Sequence, residues 1–228
     1  MGEALLRLRG VQKRYGGVRA LRGVDLDVLA GEVHALVGEN GAGKSTLIKI
    51  VSGAELADEG TAEIDGAPLT GGSTQAAMEA GIATVYQEPH LFGELTVAEN
   101  VFLGRELRTS GRVDWATQRT RVGELLTQIG LDPAIGDVRV ADLPVAEQQL
   151  VSIAKAFAHS AKILIPDEPS AILTDREIEV LFGVVRNLRA AGVGIIYISH
   201  RLDELSQISD RVTVLRDGEV VASRQRAS

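Results

Sequence analysis

Leu6, Arg7, Leu8 and Arg9 alternate apolar and charged, the period of a strand with one buried and one wet face. Elsewhere the apolar runs are short and nearly unbroken: residues 33–37 (VHALV), 82–86 (IATVY), 163–165 (ILI) and 195–198 (IIYI). Runs of this length, bounded by Gly, Pro or polar residues, predict parallel strands covered on both faces. Residues 212–215 and Val220-Val221, separated by Arg216-Asp217-Gly218, predict a hairpin with an Asp-Gly turn.

Between these runs the apolar spacing becomes helical. Leu150, Ile153, Ala154, Phe157 and Ala158 fall at i, i+3, i+4, i+7 and i+8. Thr174, with Glu177 three residues later, forms a capping box that opens a helix carrying Ile178, Leu181, Phe182 and Leu188 on one face. Asp114 is placed to cap a helix with Trp115, Val122, Leu126 and Ile129, which Gly130 ends. Strands alternating with helices predict an α/β fold. The stretch from about Pro89 to His159 shows helix signals and no convincing strand, so it reads as a helical insertion.

Composition narrows the function. The formal net charge of -7 argues against a nucleic-acid binder, which usually carries a basic face. The absence of cysteine excludes disulfides, thiolate zinc sites and cysteine nucleophiles. The N-terminus, MGEALLRLRG, lacks the unbroken apolar run of a signal peptide, and no apolar run is long enough to cross a bilayer. The expectation is a cytoplasmic chain that would have to dock onto a partner to work at a membrane.

The segment GENGAGKST adds chemistry. Gly38, four residues, Gly43, Lys44 and Ser45 match the P-loop pattern. It has the required context, with a strand before it and a helix predicted from Ser45 to Val51. Amide groups from Asn40 through Gly41 and Gly43 to Thr46 would converge on phosphate oxygens where glycine leaves room. The helix N-terminus adds partial positive charge. Lys44 supplies a cation for the β- and γ-phosphates, and the Ser45 hydroxyl is placed to ligate Mg²⁺. A glycine-rich turn with a chance lysine is the plain alternative.

The segment KILIPDE offers the complementary half. An apolar strand would deliver Asp167 and Glu168 at its C-terminal end, where open α/β sheets bind ligands. Asp167 would hold Mg²⁺, directly or through water, and Glu168 would polarise an attacking water as general base. Alone, such a pair is more often a helix cap or a solvated loop, and its pairing with the P-loop reverses that reading.

Together these motifs resemble the ATP-binding cassette proteins, the nucleotide-hydrolysing subunits of ABC transporters. Gln87 matches that family's Q-loop, His200 its switch histidine, and Tyr15 the aromatic residue that stacks on adenine. Leu143-Pro-Val-Ala-Glu-Gln-Gln149 stands where the family has its LSGGQ signature. The wording of VYQEPHLFGELTVAENVFLGRE, VAEQQLVSIAKA, DEPSAILTDRE and ISHRLDELSQISDRVTVLRDG is similar to the ATPases of sugar importers, which carry two cassettes in one longer polypeptide. The chain is expected to be the N-terminal half of such a protein.

The resemblance implies a P-loop NTPase core with a mainly parallel sheet, an N-terminal antiparallel β subdomain and a helical insertion. It divides the chain into a nucleotide-binding core, residues 1–88 and 160–228, and a helical subdomain, residues 89–159. It implies ATP and Mg²⁺ as ligands, with Gln87 reaching the metal or the water and His200 donating to the γ-phosphate. The implied partners are a second cassette, transmembrane permease subunits and, indirectly, a solute-binding protein, at the cytoplasmic face of the membrane. His34, His90 and His159 carry no such match and read as polar filler.

Two departures stand out. Pro144, Val145 and Ala146 replace the signature serine and two glycines, so the composite site served by this signature loses a hydroxyl and close backbone approach. Pro166 lies in an otherwise central strand, where proline removes a ladder donor. The main rival is a soluble ABC-type ATPase acting in translation. A DNA-repair member would need a long coiled coil between Lys44 and Asp167, where no sustained heptads occur. A GTPase would need an Asn-Lys-x-Asp segment, which is missing.

Overall fold

The computed structural model describes residues 4–69, 71–86, 90–158 and 161–225. The chain opens with β1 (Ala4–Tyr15), β2 (Val18–Leu29), β3 (Val33–Val37), α1 (Lys44–Val51), β4 (Glu59–Ile64), β5 (Ala67–Pro68), α2 (Thr74–Ala80) and β6 (Ile82–Val85). A mainly helical stretch follows: α3 (Val97–Val101), the strands β7 (Arg108–Thr109) and β8 (Arg112–Val113), α4 (Trp115–Ile129) and α5 (Val145–Phe157). Then come β9 (Ile163–Pro166), α6 (Asp175–Ala190), β10 (Gly194–Ile198), α7 (Leu202–Ile208), β11 (Arg211–Arg216) and β12 (Glu219–Gln225).

The short apolar runs form the centre. β3, β9 and β10 are buried at every residue, and the larger sheet runs in the order β12-β11-β3-β10-β9-β6. Its strands from β11 to β6 pair in parallel, and β12 folds back antiparallel. Side chains alternate between two cores, as the pleat requires. Val33, Ala35, Leu164, Ile195 and Tyr197 face a core built with α3 to α6. Leu36, Ile163, Ile165, Ile196 and Ile198 face another, shared with α1 and the antiparallel sheet β2-β1-β4-β5. An unbroken apolar run is thus two half-patterns read together.

His34, on β3, fits its reading as a structural histidine. It is buried, with Nδ1 2.9 Å from the Asp27 carbonyl oxygen and Nε2 2.7 Å from Thr213 Oγ1. Burial pushes its pKa below the ordinary range. His159 lies outside the described residues.

Three expectations change in detail. The strand seen at Leu6–Arg9 runs twelve residues, because β1 has partners on both edges. A register shift between Leu8 and Val11 explains why strict alternation fails to reveal that length: a bulge brings both residues into the core despite their odd spacing. The insertion read as strand-free contains the hairpin β7–β8, whose turn holds Ser110 and Gly111 at φ 53° and 82°. Boundaries also move by one residue: α1 begins at Lys44, β6 ends at Val85 and β10 begins at Gly194.

The capping signals behave as read. The Asp114 carboxylate accepts from the Thr117 N–H at 3.0 Å, and Gly130 ends α4 in the left-handed region. The Glu177 carboxylate accepts from the Thr174 N–H at 2.8 Å. No helix among the described residues is long and apolar enough to cross a membrane.

Candidate nucleotide-binding site

The glycine loop lies between β3 and α1 under steric compulsion at both ends. A Cβ at Gly38 would sit 2.3 Å from the Leu215 carbonyl oxygen, because β11 runs beside β3 there. Gly43 holds φ 108°, and a Cβ on it would meet the Ala20 oxygen at 2.7 Å. The loop is gripped between β11 and β2. The Gly218 N–H also donates to the Ala42 oxygen at 3.1 Å, while the Arg22 N–H donates to the Gly218 oxygen at 2.9 Å. The hairpin turn near the far end of the sequence therefore braces the loop.

Helix α1 starts at this loop with no side-chain cap and no acid in its first turn. Its amino end keeps its partial positive charge for an external anion. The Lys44 ammonium donates to the carbonyl oxygens of Gly38 at 2.5 Å and Glu39 at 3.1 Å, which holds it over the loop. A cleft of about 480 Å³ opens here, lined by Asn40, Gly41, Gly43, Lys44, Ser45 and Thr46, with Asp167 and Glu168 on the facing wall. The two motifs read separately from the sequence thus share one cavity.

Pro166 is explained by its place in the ladder. The Asp167 N–H donates towards β6, to the Val85 oxygen at 2.9 Å, and the Glu168 N–H towards β10, to the Ile198 oxygen at 3.0 Å. Successive amides point to opposite sides of a strand, so position 166 would have donated towards β10. Pairing of β9 with β10 runs to Leu164 and resumes as an isolated bridge at Asp167 and Ile198. The proline ends the regular strand just before the acidic pair. Glu168 then turns into the left-handed region at φ 49°, unusual for a non-glycine residue.

This turn brings the Glu168 Oε1 within 3.3 Å of the His200 Nδ1. His200 follows the end of β10 and is largely exposed. Tyr15 ends β1 half-exposed, with the Lys13 ammonium 5.5 Å from its ring centre. Neither residue lines the cleft, but Val18, the cross-strand partner of Tyr15, does. Gln87 lies outside the described residues. The signature-like segment opens α5, where Pro144 is the cap residue at φ −54° and the Gln148 amide donates to the Leu143 oxygen at 2.9 Å.

Among the cleft residues that sequence reasoning missed, three carry charge from outside the two motifs: Arg19, Arg22 and Asp217. The first two belong to β2, which its broken alternation conceals. Asp217 was legible only as a turn residue, since nothing local says that the turn reaches the loop.

Burial, and then the neighbouring Glu168 charge, push the Asp167 carboxyl above its usual range, with Lys44 opposing. A divalent cation would relieve that cost. The Ser45 hydroxyl and the Asp167 carboxylate are hard oxygen donors on one cleft, which suits Mg²⁺. No group of three or more acidic, His or Cys side chains that could hold a metal occurs among the described residues. The remaining ligands would be phosphate oxygens and water, as Mg²⁺ usually retains.

The raised Asp167 value has a stability consequence. A carboxyl whose folded pKa exceeds its unfolded one favours the fold when protonated. Its contribution is lost as pH rises from the ordinary carboxylate range through the raised value. Asp167→Asn should therefore raise the nucleotide-free melting temperature at pH 7 by about 1–3 °C and flatten its dependence on pH in that window. It should also lower magnesium-dependent turnover more than about tenfold. Thermal melts across pH, paired with an ATPase assay, check both.

Residues 21–171 match the family described as ABC transporter. The chain is 52% identical over 219 residues to a ribose import ATP-binding protein RbsA of Rubrobacter xylanophilus, covering 95% of this chain and 42% of that one. The chain thus spans about two-fifths of the length of that relative. Its fold is similar to the ADP conformation of an ATP-binding cassette of an ABC transporter, with a TM-score of 0.87 at 27% identity over 98% of this chain and 92% of the other. It is also similar to a dimeric cassette in a post-hydrolysis state bound to ADP and Pi, with a TM-score of 0.81 at 26% identity over 98% of this chain and all of the other. The P-loop cleft, the strand-borne acidic pair and these matches agree: the chain belongs to the ABC transporter family.

Proposed function

We propose that this chain is one ATP-binding cassette of a sugar importer, hydrolysing ATP on the cytoplasmic face of the membrane to drive permease subunits. The observation that carries the reading is the shared cleft, with Lys44 and Ser45 on one wall and Asp167 and Glu168 on the other. The sugar assignment rests on the ribose importer relative. A second cassette, in the same polypeptide or as a separate copy, completes the site.

In this reading the loop amides and Lys44 bind the triphosphate, and the Tyr15 ring stacks on the adenine. Mg²⁺, when bound through Ser45, Asp167 and Gln87, would neutralise charge on the β- and γ-phosphate oxygens. Glu168 accepts a proton from the attacking water as its oxygen bonds to the γ-phosphorus. The bond to the β-phosphate oxygen breaks, and ADP and phosphate leave. His200, 3.3 Å from Glu168, orients that carboxylate and donates to the γ-phosphate. Pro144, Val145 and Ala146 serve the partner cassette's nucleotide, and hydrolysis there is slower for want of a hydroxyl donor.

Residues 89–159 act as the moving subdomain that transmits closure. A groove of about 340 Å³ lies where the edge strand β6 meets α5, lined by Ile82, Thr84, Tyr86, Leu103, Lys155 and Ala156. It suits an amphipathic cytoplasmic helix of a permease, with apolar walls and two cations, Arg105 and Lys155, among its lining residues. Leu103→Glu should lower co-purification with the permease subunit at least tenfold and leave ATP affinity within about twofold.

The reading as a whole is tested on the full-length protein isolated from membranes. Magnesium-dependent ATP turnover together with a co-purifying permease supports it. Co-sedimentation with ribosomes, in place of a permease, overturns it.

A further inference from the structure

A buried carboxylate the nucleotide cleft does not contain ties together the two segments that carry its reactive pair. Glu204 lies on α7 and is 1% exposed. Its Oε2 accepts from three hydroxyls: Ser170 at 2.7 Å, Ser199 at 3.1 Å and Tyr197 at 3.4 Å. Its Oε1 pairs with the Arg201 Nε at 3.0 Å. Ser199 Oγ in turn accepts from the Arg201 N–H at 3.0 Å.

The placement of these partners is what matters. Ser170 stands two residues after Glu168, in the loop between β9 and α6. Tyr197, Ser199 and Arg201 surround His200, before and after it in sequence. One carboxylate therefore grips both segments whose side chains meet at 3.3 Å, Glu168 and His200. The backbone already ties Glu168 to β10, its N–H donating to the Ile198 oxygen at 3.0 Å, and Glu204 adds a side-chain tie beyond it. Glu168 sits in the left-handed region, and His200 is largely exposed.

A carboxylate buried this deeply is costly unless it is paired and hydrogen-bonded, and it usually does not add net stability over an apolar core. What it adds is one geometry: its lone pairs are directional and accept only a defined set of donors. The Tyr197 phenol is held as a donor, since burial and then the Glu204 charge keep its pKa above the ordinary range.

We propose that Glu204 is a positioning residue for ATP hydrolysis, which fixes the Glu168 and His200 segments relative to each other through Ser170 and the hydroxyls flanking His200. It touches neither nucleotide nor water. This inference rests on the ATPase reading above.

The test uses the full-length protein with its membrane partners, and compares wild type, Glu204→Gln, Ser170→Ala and the double variant. Turnover is normalised to ATP bound per molecule, so unfolded protein does not count. The expected result is a kcat at least tenfold lower in Glu204→Gln, with the Kd for ATP within threefold. Ser170→Ala should lower kcat at least threefold, and the double variant should fall no further than Glu204→Gln. That non-additivity is what two members of one hydrogen-bond network show, and the fall in kcat at nearly unchanged Kd is the part a merely structural role would not produce.

A normal kcat in Glu204→Gln overturns the proposal, even if its melting temperature falls. So does a loss of kcat matched by an equal loss of ATP affinity, or effects of the two substitutions that simply multiply. If Glu204→Gln does not accumulate as folded protein, Ser170→Ala carries the test alone, and a kcat within twofold of wild type overturns the proposal. A wild-type protein that binds ATP without hydrolysing it sinks the ATPase reading instead, and this inference with it.

Discussion

Glu168→Gln is expected to lower ATP turnover by about 10²- to 10³-fold, with ATP affinity unchanged to within a few fold. A positioned general base contributes about 10²- to 10⁴-fold. The amide keeps the shape of the carboxylate, so the backbone at φ 49° has no new steric demand. It cannot take a proton from water, and it removes the negative charge that lies 3.3 Å from the His200 Nδ1. The loop proposed to hold phosphate, which lines the cleft from Asn40 to Thr46, is untouched. The variant should therefore trap ATP. Single-turnover kinetics with labelled nucleotide checks this, and turnover near that of wild type would remove Glu168 from the role of base.

Lys44→Ala should weaken ATP binding by about 10- to 150-fold. The range follows from about 1.5–3 kcal/mol for a hydrogen bond to a charged group, at 1.4 kcal/mol per tenfold. The ammonium also donates to the Gly38 and Glu39 oxygens, so its loss leaves two carbonyls of the loop without that cation. That second effect opposes an incoming anion and places the result near the upper end. Calorimetric titration of magnesium ATP measures it. Unchanged affinity would mean that the loop does not cradle a triphosphate, whatever its pattern.

Much of this site was legible because its chemistry is local. A P-loop states its strand, its turn and its helix within a dozen residues, and the acidic pair follows its own apolar strand. The structure brings the two into one cleft, as their shared place at strand ends implied. Reading failed where contacts are distant. Long-range pairing sets the length of β1 and the existence of β2, and a bulge blurs their alternation. Pro166 looks wrong in isolation and makes sense only beside the missing link to β10.

Glu204 left a faint signal. With Leu205 and Ile208 it occupies one face of a helical repeat, a carboxylate where an apolar residue is expected. The sequence does not say that hydroxyls from two other segments meet it there. Pro144 and its neighbours show the opposite case: the departure from the signature is plain in the sequence, and the structure adds only that the segment opens α5.

The brace between the Asp217-Gly218 turn and the phosphate loop bears on biosynthesis. The β3 strand that launches the loop is bonded to residues as far as 179 positions later, as between the His34 ring and the Thr213 hydroxyl. Its flanking strand β11 pairs Val37 with Val214. A growing chain on the ribosome therefore exposes its glycine segment early but can brace it in this way only when the β11–β12 hairpin emerges. Such non-local closure is slow, so nucleotide capture waits on the β11–β12 hairpin rather than on the loop's own emergence.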